Sequence, residues 1–188
     1  LRGLDLPCPP SCRILDVGCG TGLLGLHFLD RFPQATLLAT DLEPNFLRAT
    51  ANNALRRELS QDRISLAVSD ISDPRRVSAL DGHAGELAES SFDLICMGAV
   101  VGYSSDTESS IRDLLRLLVP GGYLVNLEMN ESFMGRFVSQ RYHYHNLPIE
   151  RICRIMREEG CVVSPQAFSM KHFPAKMTRT AIIARRNG

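Results

Sequence analysis

Apolar and β-branched residues gather in five short runs, RILDV, ATLLATD, ISLAVSD, FDLICMG and GYLVNLEM. Between them lie LLGLHFLDRF, PNFLRATANNALRREL and SSIRDLLRLLV, whose apolar positions recur at helical spacing. That alternation predicts parallel strands joined by crossover helices. The expected fold class is therefore α/β: a doubly wound, mostly parallel seven-stranded sheet with helices on both faces. Pro44 falls just inside the second helix, where a missing N–H costs nothing, and VPGG at 119–122 is expected to close the third helix before the fifth strand. The rhythm then breaks. NESFMGRFVSQRYHYHNLP reads as a long irregular segment, IERICRIMREEG as a helix, and CVVSPQAFSMKH and TRTAIIARR as two more strands. Only FPAKM links those two, too little for a parallel crossover, so the last strand is expected to run antiparallel. With no repeat, low-complexity tract or linker, residues 1–188 read as one domain, with 131–148 as a substrate-side insertion.

Ligands of open parallel sheets bind beyond the carboxyl ends of the strands. The first strand ends in LDVGCGTG, which places Asp16 just ahead of Gly18, Gly20 and Gly22. A nicotinamide dinucleotide wants G-x-G-x-x-G, but Leu23 holds the third glycine position, and that ligand has no use for the Asp16 carboxylate. No Gly-Lys-Ser/Thr follows, so a P-loop fails as well. Three glycines exceed what a tight turn needs, and a carboxylate beside bare backbone suits a ligand that carries an ammonium group and a sugar.

LDVGCGTG resembles the first motif of the class I S-adenosylmethionine-dependent methyltransferases, and the likeness continues in order along residues 13–185. The cofactor implied is S-adenosylmethionine, held first by Asp16, Gly18, Cys19, Gly20 and Gly22. ATDLEPNFL is similar to the second motif: Asp41 would take the ribose hydroxyls, with Leu42 and Phe46 flanking the adenine. VSDI is similar to the third, where Asp70 would accept from the adenine amine and the backbone at Ile71 would read the ring edge. FDLICMGAV resembles the fourth motif, which adds Met97, and LVPGGYLV the helix-turn-strand after it. Simpler roles stand beside these. Asp41 would also suit the N-terminus of the second helix, Asp70 a turn cap, and Phe46, Cys96 and Met97 the core.

The departures from the family bear on the acceptor. Members that methylate exocyclic base amines or glutamine amides often carry Asn/Asp-Pro-Pro-Tyr/Phe after the fourth strand; MGAV stands there instead. The histidine that many small-molecule members show a few residues later is replaced by VVGYSSD, which leaves Tyr103. The candidates for catalysis are Tyr103, His143 and His145. Glu128, Asn130, Tyr142 and Tyr144 are candidates for the substrate side, although Glu128 and Asn130 could equally close a turn and the aromatics could pack onto the next helix. Methyl transfer from a sulfonium needs alignment above all, and a base only where the acceptor must lose a proton.

Composition narrows the partners. Lys+Arg and Asp+Glu are 21 each, so nothing offers the basic surface that a nucleic-acid backbone demands, beyond a local Arg patch. The six cysteines form no CxxC pair and read as reduced thiols of a cytoplasmic protein, with no metal site expected. No apolar run reaches the roughly 18 residues of a membrane span. The chain opens on Leu1, and only about a dozen residues precede RILDV, so residues 1–12 read as the remnant of a lid that family members close over the cofactor. These observations together imply a methyltransferase acting on a hydroxyl, amine or carboxylate of a small molecule. The alternatives are a protein or RNA methyltransferase needing a partner, and a non-catalytic member that only binds the cofactor.

Overall fold

The computed structural model describes residues 6–141, 144–167 and 175–188. Tyr142, His143 and the first five residues of the expected lid remnant lie outside them.

The core is built as the alternation predicts. β1 (Arg13–Val17), α1 (Leu23–Arg31), β2 (Thr36–Asp41), α2 (Pro44–Arg56) and β3 (Ile64–Val68) form one half of the sheet. β6 (Phe92–Met97), α3 (Thr107–Leu117) and β7 (Leu118–Met129) begin the other. Among the described residues the sheet has nine strands in the order β5-β4-β3-β2-β1-β6-β7-β9-β8. β1 pairs in parallel with both β2 and β6, and the order reverses at that point. A ligand crevice therefore opens beyond the ends of β1 and β6.

Both faces of the sheet are covered. Leu15, Val17, Ile95 and Met97 point into the cluster with α3 and α5 (Ile149–Glu158), while Ile14, Leu94 and Cys96 point into the cluster with α1 and α2. This period-two division explains why the strands read as continuous apolar runs. α3 starts on Asp106, whose carboxylate accepts the Ser109 N–H at 3.0 Å, and α2 carries Pro44 in its first turn.

The antiparallel strand expected at the end is β9 (Arg179–Arg186), which lies antiparallel to β7 on one side and to β8 (Cys161–Ala167) on the other. Two features extend the seven-stranded plan. β4 (Arg76–Ala79) and β5 (Ala84–Glu86) add a hairpin at the β3 edge, turning at Asp81 and Gly82, where Gly82 takes φ +91°. An Asp-Gly pair is a known hairpin signal, but the flanking residues are too polar to read as strands. The segment after β7 also holds a helix, α4 (Phe133–Arg141), where an irregular run was expected. Its start is capped by the Ser132 hydroxyl, which accepts the Gly135 N–H at 3.0 Å, and the glycine in its first turn lowers its intrinsic helix propensity. α6 (Ala175–Thr178) leads into β9.

VPGG does not cap α3 from outside the sheet; it lies within β7. Leu118 pairs with Phe92 but Tyr123 with Leu94, so the extra residues bulge out of the ladder. The helix ends at Leu117 because Pro120 biases the residue before it toward extended backbone.

Candidate functional site

The loop from β1 to α1 turns on glycines because its backbone is left-handed three times. Gly18, Gly20 and Gly22 have φ of +60°, +54° and +79°. Side chains at Gly18 and Gly22 would run into Val100 and Thr50, whereas a Cβ at Gly20 would meet nothing within 4 Å. Gly18 and Gly22 thus allow close packing, and Gly20 leaves bare backbone at a cavity wall. Asp41, at the end of β2, holds that backbone in place: one carboxylate oxygen accepts the Gly20 N–H at 2.8 Å and the other the Glu43 N–H at 3.0 Å.

A cavity of about 540 Å³ opens over this loop. Of the residues singled out in the sequence, Gly18, Gly20, Asp41, Leu42, Phe46, Asp70, Ile71 and Tyr103 line it. Asp70 also caps the turn at Ser72, accepting its N–H at 2.8 Å, so the simpler role suggested for it is realised at one oxygen. Leu42 and Phe46 are exposed although apolar, which a core role would not explain.

Four residues expected in the site stand behind its wall. Gly22 and Cys19 pack toward Thr50. Met97 is fully buried in the core against α3 and α5. Asp16 is 1% exposed, its carboxylate turned under α1 to accept the Gly25 N–H at 2.8 Å. It shapes the loop from beneath. The sequence reading missed Ser69, Ser72, Ala99, Ser104 and Ser105, which line it too, together with Val17, Thr40, Gly98 and Val100. Small residues carry little signal by themselves, and only the fold brings these strand ends together. Ala99 is held at φ +53°, an uncommon conformation for a residue with a Cβ, in the wall of this cavity.

Burial shifts the ionisable groups here toward their neutral forms. Burial pushes the Asp16 carboxyl from 3.8 up to about 7; the Gly25 N–H and the Cys96 thiol pull it back, and Asp41 adds to the rise. Burial likewise raises the thiol of Cys19 to about 12 and that of Cys96 well above its ordinary value, so neither is a ready nucleophile. Asp16 binds a proton more readily in the folded chain than in the unfolded one. Its contribution to stability is therefore greatest below about pH 4 and is lost as pH rises through about 7. Chemical denaturation should show Asp16→Asn flattening a loss on the order of a few kcal/mol between about pH 4 and pH 7. An unchanged slope in that variant would remove Asp16 as its source.

The acceptor-side candidates are divided by the fold. Glu128 is 2% exposed at the end of β7, and accepts hydrogen bonds from the Tyr144 hydroxyl, from the Met129 N–H at 2.9 Å and from Asn126 at 3.0 Å. Burial pushes its carboxyl up, against those three bonds and Arg179. Tyr144 is buried as well, and its phenol is pushed up chiefly by burial. Asn130 accepts from the Ser132 hydroxyl at 2.6 Å and closes a turn. Glu128 and Tyr144 spend their polar side-chain atoms on the chain itself, and Asn130 spends its amide oxygen there. His145 is exposed and lines a second cleft of about 430 Å³ with Leu147 and 104–108; Ser104 and Ser105 belong to both cavities. Among the described residues no cluster of His, Cys, Asp and Glu could hold a metal ion, and no helix is long and apolar enough to cross a membrane.

Residues 15–124 match the profile of a family described as a methyltransferase domain. The chain is 32% identical over 134 residues to the biotin biosynthesis bifunctional protein BioCD of Bordetella avium, covering 71% of this chain and 25% of that one. It is 27% identical over 124 residues to the malonyl-acyl-carrier-protein O-methyltransferase of Magnetococcus marinus, covering 65% and 40%. The chain thus spans less than half the length of either curated relative. Among solved structures, an S-adenosylmethionine-dependent methyltransferase from Mesorhizobium loti superposes with a TM-score of 0.73 at 17% identity, over 96% of this chain and 94% of that one.

Proposed function

We propose that this chain, which belongs to the class I S-adenosylmethionine-dependent methyltransferases, transfers the methyl group to a hydroxyl, amine or carboxylate of a small molecule. The observation that carries the reading is the pair of adjoining cavities that share Ser104 and Ser105. The first fits the cofactor: bare backbone at Gly20 admits the methionine and sugar, Asp41 accepts from the ribose, and Leu42, Phe46, Asp70 and Ile71 surround the adenine. Asp16 acts on that site through the loop it supports. S-adenosylmethionine supplies a methyl group on a sulfonium, whose neutral leaving group makes alignment and exclusion of water the main demands on the protein.

The second cleft receives the acceptor, with Leu147 as an apolar contact and His145 at its wall. His145 takes the proton of a hydroxyl acceptor; a carboxylate acceptor has none to lose. Tyr103 stands at the rim of the cofactor cavity and shapes the passage between the two. The absence of Asn/Asp-Pro-Pro-Tyr/Phe after β6 and the balanced charge of the chain favour a small acceptor over a nucleic acid or a protein amide. The Magnetococcus relative is named as a malonyl-acyl-carrier-protein O-methyltransferase, an enzyme that methylates an oxygen acceptor.

Transfer of labelled methyl from S-adenosylmethionine to a panel of small hydroxyl, amine and carboxylate compounds tests this, with peptides and RNA alongside. Labelling of small acceptors is expected, and labelling confined to peptide or RNA would reverse the assignment. With a hydroxyl acceptor, His145→Ala should lower kcat about 100-fold while leaving cofactor affinity unchanged. An unaltered rate would leave alignment as the whole of the catalysis.

A further inference from the structure

The buried Glu128–Tyr144 pair has no part in the chemistry proposed above, yet both residues are polar and both lie deep in the fold. A carboxylate and a phenol taken out of water need each other: the hydrogen bond between them, the Met129 and Asn126 donors and the nearby Arg179 charge offset the desolvation. Apolar residues of similar volume would fill the same space without that requirement, so what the pair adds is a fixed position for Tyr144.

What Tyr144 touches shows what is being positioned. Its N–H donates to the Ser139 carbonyl at 2.9 Å, anchoring it to the end of α4, and the next residue's N–H donates to the Gly102 carbonyl at 3.0 Å. The approach at Gly102 is so close that a Cβ there would collide with the His145 carbonyl and with Tyr144 Cζ at 2.5 Å. The ring of Tyr144 meets that of Tyr103 edge to face, with centroids 5.1 Å apart and planes at 83°. Tyr103 is itself 53% exposed at the wall of the cofactor cavity, and among the described residues Tyr144 is its one ring contact.

We propose that Glu128 and Tyr144 are positioning residues that set the Tyr103 ring at the rim of the cofactor cavity, so that the end of β7 governs how tightly that rim holds its ligand. The inference rests on reading the first cavity as the S-adenosylmethionine site.

Two measurements test it. In the protein without added ligand, amide hydrogen exchange over 101–105 should quicken in Tyr144→Phe and Glu128→Ala, but not in Glu128→Gln, whose amide oxygen still accepts the phenol. Exchange in β1 and β2 should stay as in the parent. S-adenosylhomocysteine affinity is then compared across a cycle with Tyr103→Ala. Tyr144→Phe should weaken binding about fivefold in the parent and less than twofold when Tyr103 is absent, the mark of one residue acting through another. Equal losses in both backgrounds, or exchange over 101–105 that does not change, would overturn the assignment. If the parent failed to bind S-adenosylhomocysteine, the cofactor reading would fall, while the exchange of 101–105 would still decide the positioning role.

Discussion

Asp41→Ala is expected to weaken S-adenosylmethionine and S-adenosylhomocysteine binding by roughly 10- to 100-fold, the scale of losing hydrogen bonds to a charged group. Two losses combine. The carboxylate proposed to take the ribose hydroxyls disappears, and so does the acceptor that holds the Gly20 N–H at 2.8 Å and the Glu43 N–H at 3.0 Å. The first loss removes a contact, and the second lets the glycine loop drift from the shape that admits the ligand. Asp41→Asn keeps an oxygen for one of these bonds and should fall between the two. Calorimetric titration with S-adenosylhomocysteine measures this, and a thermal melt shows whether the fold is intact. Parent-like affinity in Asp41→Ala would move the ribose elsewhere in the cavity.

Alanine at Gly18 and alanine at Gly20 should fail in different ways, although both glycines have left-handed backbone. Each pays the cost of a Cβ at positive φ, about 1 kcal/mol or somewhat more. At Gly18 the new methyl also runs into the Val100 side chain, with Val100 Cβ 2.8 Å away, and overpacking adds roughly 1–3 kcal/mol. At Gly20 nothing lies within 4 Å, so stability should fall only by the backbone cost. The methyl would instead stand at the cavity wall, where the cofactor's methionine and sugar are proposed to lie. Denaturant unfolding should therefore rank Gly18→Ala as clearly less stable than Gly20→Ala. Cofactor affinity measured on the folded proteins should show a loss in Gly20→Ala out of proportion to its stability. If the two variants unfolded at the same denaturant concentration, Val100 would be yielding freely and the loop would be less tightly packed than its geometry indicates.

The sequence by itself determined the α/β architecture and which strand-end residues meet at the main cavity. Both follow from features that are local along the chain. β1, β2, β6 and β7 are largely apolar on both faces, and amphipathic helices cover the sheet between most of them, so their parallel arrangement follows from burial. Gly18, Gly20, Asp41 and Asp70 sit at strand ends, and in an open parallel sheet the strand ends converge on one crevice. A departure from expectation has an equally local cause where a signal was weak: Gly135 masked the start of α4, and polar flanks hid the β4–β5 hairpin around Asp81 and Gly82. Only the tertiary structure decided which way side chains face. Asp16 and Met97 read as wall residues because they adjoin the motif, yet each lies on a strand buried on both sides, and its pleat turns it inward. Glu128 read as an acceptor contact because it ends β7, but Tyr144, sixteen residues later, returns to claim its carboxylate. Such a pairing depends on how a distant segment folds back across the sheet, and neither spacing nor composition encodes it. The meeting of Ser104 and Ser105 with both cavities, and of Tyr144 with Tyr103, is of the same kind: contacts between segments remote in sequence, fixed by packing.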